Sequence, residues 1–465
     1  MRLGRLGRGL AWAAAGAAVL LVSLHFGIQY TTRMAPPEVP RLDGDVEVID
    51  SVRRLGASSL RRRGELLEAR LEGTPVEIGH AHSRLLYPEM DYVEGVMLGE
   101  FRRRVPVGVR TVLLDLSAWR YRSLADGFEL GRRQEIAAQA LGFSPDPFAG
   151  MFPTYQRFVY LNALYDIALS FERSPLVGCT TFFVDARERG GSLLLARAFD
   201  FDVHSVFDRN KVVFAVFESG KIPLLSVSWP GLVGVVSGVN RERVTVVAHG
   251  ARAGETRTQG EPVVHALRRV LSEAKTAQAA VQLLDQREPL VSHLVIVADA
   301  TGAAFAVERA PGHPSHVRPL GTFACVTNHF EGALSRDPKN ERVRRETSTL
   351  TRRARGDALG AAKEVLQAPD ALALLRDRRS PDGAELPLGD RRAIDAQIAA
   401  HGVVVDLTAG VVWVSEGPNL VGRFVAFDLA QALASPAQPA GPARTFPADP
   451  LLHTQPYREH QDAPR

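Results

Sequence analysis

The chain has 465 residues, 45% of them hydrophobic and 23% charged, with 40 Gly, 29 Pro and only 2 Cys. Those fractions exclude a disordered, collagen-like or disulfide-stapled protein and leave ample chain for a large core. The net charge is +4, but five Lys stand against 51 Arg, no Lys precedes Lys211, and 52 acidic residues are interspersed. A surface that reads nucleic-acid phosphates needs clustered cations with interleaved aromatics. Only Arg61-Arg62-Arg63 and Arg102-Arg103-Arg104 form triplets, so no nucleic-acid partner is expected.

Leu10 to Ile28 is an apolar run of about bilayer length, preceded by Arg2, Arg5 and Arg8. Residues 1–29 read as a membrane anchor or an uncleaved signal, because Ser23 to Ala35 offers no clear small-x-small cleavage site. The positive charges put the N-terminus in the cytoplasm and the bulk of the chain outside it, as a single-pass protein. Cleavage of the segment would make the protein secreted. Residues 30–45 read as a linker. Residues 46–71 carry helical periodicity, Gly79-His80-Ala81-His82 opens a looser stretch, and helices are expected near 90–103, 126–141 and 155–171. Residues 46–178 therefore read as a mainly helical segment. His80 and His82 lack an evident third ligand, and no metal or other cofactor is expected.

The pattern changes at Cys179. Strand-length apolar runs follow at 180–186, 193–197, 212–218, 224–229, 233–239 and 244–248. Helices are expected near 262–274 and 276–286, then strands at 294–298, 303–308 and 323–327. A helical stretch covers about 340–376, and strands at 403–407, 411–415 and 424–427 close the series. Several runs are apolar on both faces, as in Val212 to Phe217, which implies a sheet buried on both sides. Short connections imply hairpins, so two stacked antiparallel sheets flanked by helices are expected, an α+β fold spanning 179–434. Residues 435–465, rich in Pro and Ala, read as a disordered tail.

Gly178-Cys179-Thr180-Thr181 opens one apolar run, and Arg197-Ala198-Phe199-Asp200 lies on the next, beyond a Glu188-Arg189-Gly190-Gly191 turn. A four-residue loop at 188–191, or an Arg189-Gly190 turn, sets Cys179 opposite Asp200. A Gly190-Gly191 turn sets Asp202 there instead. Arg197 is an odd step from Asp200, so both reach one site only if the strand bulges or ends between them. Gly238-Val239-Asn240 and Thr327-Asn328-His329 follow in order.

Together these four motifs resemble the acyl-coenzyme A:6-aminopenicillanate acyltransferases, N-terminal-nucleophile (Ntn) hydrolases related to choloylglycine hydrolases and acid ceramidase-like amidases. The likeness runs from about Gly79 to Leu429, with Ala198 where relatives often carry Asn. The resemblance implies a four-layer αββα sandwich and self-cleavage at Gly178–Cys179. It further implies Cys179 as N-terminal nucleophile, Asp200 holding its ammonium, Arg197 on the thiolate or substrate, and Asn240 and Asn328 donating to the oxyanion. The expected partner is a small-molecule N-acyl amide, its acyl group passed to water or an amine, and the 46–178 segment is expected to stay bound after cleavage. Two other readings remain: a Cys–His hydrolase using His249 or His329 without self-cleavage, and an anchored binding protein with Cys179 and Cys325 bridged.

Overall fold

A computed structural model describes residues 5–170, 177–202, 204–362, 364–437 and 441–462. Helix α1 (Arg5–Thr31) carries the apolar run. The stretch after it departs from expectation: residues 46–71 are not helical. They form β1 (Glu47–Ile49), β2 (Val52–Leu55), β3 (Ser58–Arg63) and most of β4 (Leu66–Gly73). The cause is local. Asp50, Ser51, Gly56 and Gly64 all hold positive φ at the three connections, which a helix forbids and tight hairpin turns require. The apparent helical period came from Arg and Glu paired across strands, as in Arg61 with Glu68 at 2.7 Å.

Helices α2 (Pro75–Leu85), α3 (Tyr87–Arg104), α4 (Val107–Arg120), α5 (Leu130–Gly142), α6 (Thr154–Asn162) and α7 (Leu164–Ser170) complete the N-terminal segment. Thr74 and Glu77 form a capping box that starts α2. That helix buries Gly79-His80-Ala81-His82 instead of leaving it in a loose stretch. His82 Nε2 accepts the Gly231 amide at 2.9 Å, and burial lowers its pKa to about 3, so the ring is neutral.

From Val177 the chain builds two sheets. The strands are β5 (Val177–Asp185), β6 (Leu193–Phe201), β7 (Val212–Glu218), β8 (Leu224–Ser228), β9 (Ser237–Asn240), β10 (Thr245–Gly250), β11 (His293–Ala298), β12 (Ala304–Arg309), β13 (His316–Pro319), β14 (Phe323–Val326), β15 (Ala399–Asp406), β16 (Val411–Ser415), β17 (Phe424–Asp428) and β18 (Thr445–Phe446). Helices α8 (Val206–Arg209), α9 (Val263–Glu273), α10 (Ala277–Asp285), α11 (Pro338–Glu346), α12 (Thr349–Ala362), α13 (Ala368–Leu375), α14 (Leu429–Ala432) and α15 (Gln455–Asp462) lie between and after them. An eleven-stranded sheet runs β1-β2-β3-β4-β7-β8-β9-β10-β11-β12-β13, and a seven-stranded sheet runs β14-β5-β6-β15-β16-β17-β18. Apolar side chains from both sheets, Val213 and Ile296 against Leu195 and Val403 among them, form one core between the layers. The N-terminal helices with α9 and α10 cover the outer face of the larger sheet, while α12 and α13 cover that of the smaller. This is the expected αββα sandwich.

Two further features differ from the sequence reading. Strand β4 joins the larger sheet by pairing parallel to β7 from Leu67↔Val212 to Gly73↔Glu218, so the N-terminal segment supplies four strands as well as helices. The C-terminal segment is also ordered where described. Phe446 stacks on Trp413 at 3.7 Å, and Arg378 bonds Asp449 at 2.6 Å. Those contacts outweigh the Pro–Ala composition.

Candidate active site

The hairpin β5–β6 carries the site. Its connection is Ala186–Ser192, with a tight turn over Arg187–Arg189 and Gly190 at φ 75°. That loop closes on Asp185↔Leu193, and the register differs by one residue from the expected one. Gly178, not Cys179, lies opposite Asp200, and Cys179 faces Phe199. Side chains alternate between faces of a strand. Cys179 and Arg197 therefore point between the sheets, whereas Gly178 and Asp200 share the outer face with α12. No bulge in β6 is needed, because the two faces meet at the Gly178–Cys179 peptide.

On the inner face, Arg197 Nη2 lies 3.3 Å from Cys179 Sγ. The guanidinium also bonds Val236 O at 2.7 Å, Ser237 Oγ and Ala248 O, and lies over the Phe199 ring at 4.5 Å. It thereby ties the two sheets together beneath the sulfur. Burial pushes the Cys179 thiol up from its ordinary pKa, and Arg197 opposes that shift.

At the peptide itself, Cys179 N donates to Asn328 Oδ1 at 2.8 Å. Asn328 Nδ2 donates to Gly250 O at 2.9 Å. Arg352 of α12, which the sequence did not single out, donates to Cys179 O at 2.5 Å, Thr180 Oγ1 at 2.8 Å and Asn328 Oδ1 at 2.8 Å. Nothing in a run of Thr351-Arg352-Arg353 marks the one arginine that turns inward.

On the outer face, a Cβ built on Gly178 would lie 3.1 Å from Asp200 Oδ2. Among the described residues Asp200 Oδ1 has no hydrogen-bond partner. Burial raises the Asp200 pKa to about 6, with Arg352 opposing and Asp395 adding to the shift. A larger cavity of about 440 Å³ opens here, with the polar residues Asp200, Asn328, Arg352 and Arg391 beside Gly178 in its lining. On the thiol side a smaller apolar cavity of about 70 Å³ is walled by Met90 and Val93 of α3, Tyr165, Phe199 and Trp229. The buried Tyr165 hydroxyl, in that wall, has no partner among the described residues.

Asn240, His249 and His329 are each engaged by other groups. Asn240 donates both amide hydrogens to the end of α9, to Leu271 O at 2.9 Å and Ala274 O at 2.7 Å, and accepts Val244 N at 2.9 Å. It closes a turn and clamps a helix, with no hydrogen left for an oxyanion. His249 Nε2 bonds Thr181 Oγ1 at 2.7 Å, and burial beside Arg197 holds its pKa well below the ordinary imidazole value. His329 is held by Thr327 and Thr349. Cys179 and Cys325 are both free thiols on opposite faces of the smaller sheet, and burial pushes Cys325 up to about 12.

Residues 187–383, carrying Arg197, Asp200, Asn240, Asn328 and Arg352, match the family model described as acyl-coenzyme A:6-aminopenicillanic acid acyl-transferase. The likeness covers less than half of the chain. It begins after Cys179, so the cysteine is placed by its geometry alone. No curated protein matches the chain. Among solved structures, a Caenorhabditis elegans N-acylethanolamine-hydrolyzing acid amidase ortholog is 16% identical, covering 49% of this chain and 93% of its own, with TM-score 0.35. A mutant form of the conjugated bile acid hydrolase from Clostridium perfringens is 12% identical, covering 58% and 97%, with TM-score 0.37. Penicillin V acylase from Agrobacterium tumefaciens is 14% identical, covering 58% and 99%, with TM-score 0.35.

Proposed function

We propose that this chain is an autoprocessing cysteine amidohydrolase or acyltransferase that cuts itself at Gly178–Cys179 and then acts on linear N-acyl amides. The observation that carries the reading is the convergence on one peptide bond. Its nitrogen rests on Asn328, the Cys179 sulfur lies on Arg197, and a buried carboxyl with no hydrogen-bonded cation among the described residues faces Gly178.

In the first step Cys179 Sγ attacks the Gly178 carbonyl carbon, and the thiol proton passes to the departing Cys179 nitrogen. Gly178, without a Cβ, leaves room beside Asp200 for the distorted tetrahedral carbon. Water then hydrolyses the thioester, releasing the Gly178 carboxylate and restoring the thiol. The new α-amine, with an ordinary pKa near 8, serves as base for the thiol in later turnovers. Asp200 and Asn328 hold it as the ammonium, and Arg197 favours the thiolate. With Asn240 committed elsewhere, Asn328 is the remaining asparagine for the tetrahedral oxyanion. The apolar cavity beside Phe199 takes the acyl group, and the amine portion leaves through the larger cavity. Helix α1 anchors the protein in the membrane, with the catalytic domain outside the cytoplasm.

Intact mass measurement of the purified chain, with Cys179→Ala as control, tests the reading. The expected result is a 287-residue fragment beginning with Cys179, absent from the control. An unprocessed chain with Cys179 intact at mildly acidic and neutral pH would overturn it.

A further inference from the structure

Helix α4 carries an unusual surface. Val109, Val112, Leu113, Leu116 and Trp119 are all more than a third exposed, Leu116 at 56% and Trp119 at 57%. They recur at i, i+3, i+4, i+7 and i+10, which puts them on one helix face. Asp115 and Ala118 are buried on the opposite face. A soluble monomer scatters such residues singly and seldom lines them up.

The neighbour of α4 tells what covers this face. Asp115 accepts from Gln29 at 3.0 Å and pairs with His25 Nδ1 at 2.8 Å, both from the last two turns of α1. Residues Gly9–Thr31 of α1 are long and apolar enough to cross a bilayer and are unburied in the fold. A helix fixed to the outer end of such a span sits at the level of the lipid headgroups. The ends of α4 fit that level. Arg122 bonds Trp119 O at 2.7 Å and lies over the Trp119 ring at 5.2 Å, a Trp–Arg pair of the kind that settles at the membrane interface. Exposed Arg102, Arg103 and Arg104 stand just before α4, where anionic headgroups would meet them.

We propose that α4 lies in the plane of the membrane surface with its Val109–Trp119 face among lipid acyl chains, docking the catalytic domain against the bilayer that α1 spans. The proposal rests on the anchored reading of α1. It assigns Asp115 the task of fixing the in-plane helix to the spanning one, and Val112, Leu113 and Leu116 the task of entering lipid.

Tryptophan quenching in the full-length chain separates the two claims. The chain has four Trp; Trp229 and Trp413 are buried, whereas Trp12 of α1 and Trp119 of α4 are exposed. The protein is reconstituted in phosphatidylcholine–phosphatidylglycerol vesicles with brominated acyl chains. Trp119→Phe leaves Trp12 to report on the anchor, and Trp12→Phe leaves Trp119 to report on α4. Quenching of both is expected. Adding Val112→Glu and Leu116→Glu to the Trp12→Phe chain should abolish the Trp119 quenching while near-ultraviolet circular dichroism stays unchanged. Quenching of Trp12 without Trp119 would overturn the docking of α4 and leave the anchor standing. Quenching of neither would overturn both. A Trp119 shielded from bromolipid and from aqueous iodide alike would mean that protein, a second copy included, covers the face, and the proposal would fall.

Discussion

Replacing Asp200 by Asn in an uncleavable Cys179→Ala chain removes a buried negative charge to which no cation among the described residues is hydrogen-bonded. The Asp200 pKa stands at about 6 in the folded chain against an ordinary 3.8. The folded state therefore holds its proton more tightly than the unfolded state does. The penalty for ionising Asp200 is absent below about pH 4, grows as pH rises, and is complete above the folded value near 6. Roughly two pKa units at about 1.4 kcal/mol each give about 3 kcal/mol. Asn keeps the shape and never ionises. Urea unfolding of the Cys179→Ala chain and its Asp200→Asn derivative at pH 4, 5, 6 and 7.5 reads this directly. The two curves should nearly coincide at pH 4, with the Asn derivative ahead by up to about 3 kcal/mol at pH 7.5. An advantage independent of pH would mean that packing, not charge, is responsible. No advantage at pH 7.5 would refute the idea that Asp200 awaits an ammonium.

Asn240→Ala should cost about 3 kcal/mol in urea unfolding by stranding two helix carbonyls and the Val244 amide, yet leave turnover per titrated active site unchanged; a fall in turnover would restore a direct role. Arg197→Lys should lose maturation on a mass time course, because one ammonium cannot span Val236 O, Ser237 and Ala248 O while also reaching Cys179; maturation at the parent's rate would reduce Arg197 to a structural tie. After cleavage the 1–178 and 179–465 portions should co-elute through gel filtration in high salt. Glu218→Gln should weaken that union, because buried Glu218 joins Arg132 of α5 to Arg268 of α9 and its loss leaves two buried cations sharing one carboxylate, at about 3 kcal/mol or more. A Glu218→Gln complex as resistant to urea as the parent would deny the network that role.

Where the chemistry is covalent and local, the sequence speaks clearly. Cys179, Arg197 and Asp200 are brought to one peptide by the hairpin their order suggests, and Asn328 joins them from just beyond β14. Loop geometry limits the rest. A seven-residue connection in place of an even one shifts the hairpin by one residue, which puts Asp200 and Cys179 on opposite faces, and no composition rule sets that count. The 46–71 stretch misleads because cross-strand Arg–Glu pairs imitate a helical period, although Gly56 and Gly64 mark its turns. Asn240 shows a different limit, since a Gly-x-Asn strand end suits a helix clamp as well as an oxyanion donor. Arg352 is hidden by abundance: in a chain with 51 Arg, only its bonds to Cys179 O and Asn328 distinguish it.

The parallel pairing of β4 with β7 bears on the life of the molecule. Four strands from before the proposed cut extend a sheet whose other seven come from after it, so under that proposal the precursor folds before the cut is made. Folding of the intact chain is a first-order event, whereas the cut chains, once unfolded, could reassemble only by second-order encounter at whatever dilution they meet. The proposed scission would therefore work as a ratchet. An unfolded mature molecule would have no concentration-independent way back, and a site whose α-amine base is made only after folding has succeeded would never be active on a half-made chain.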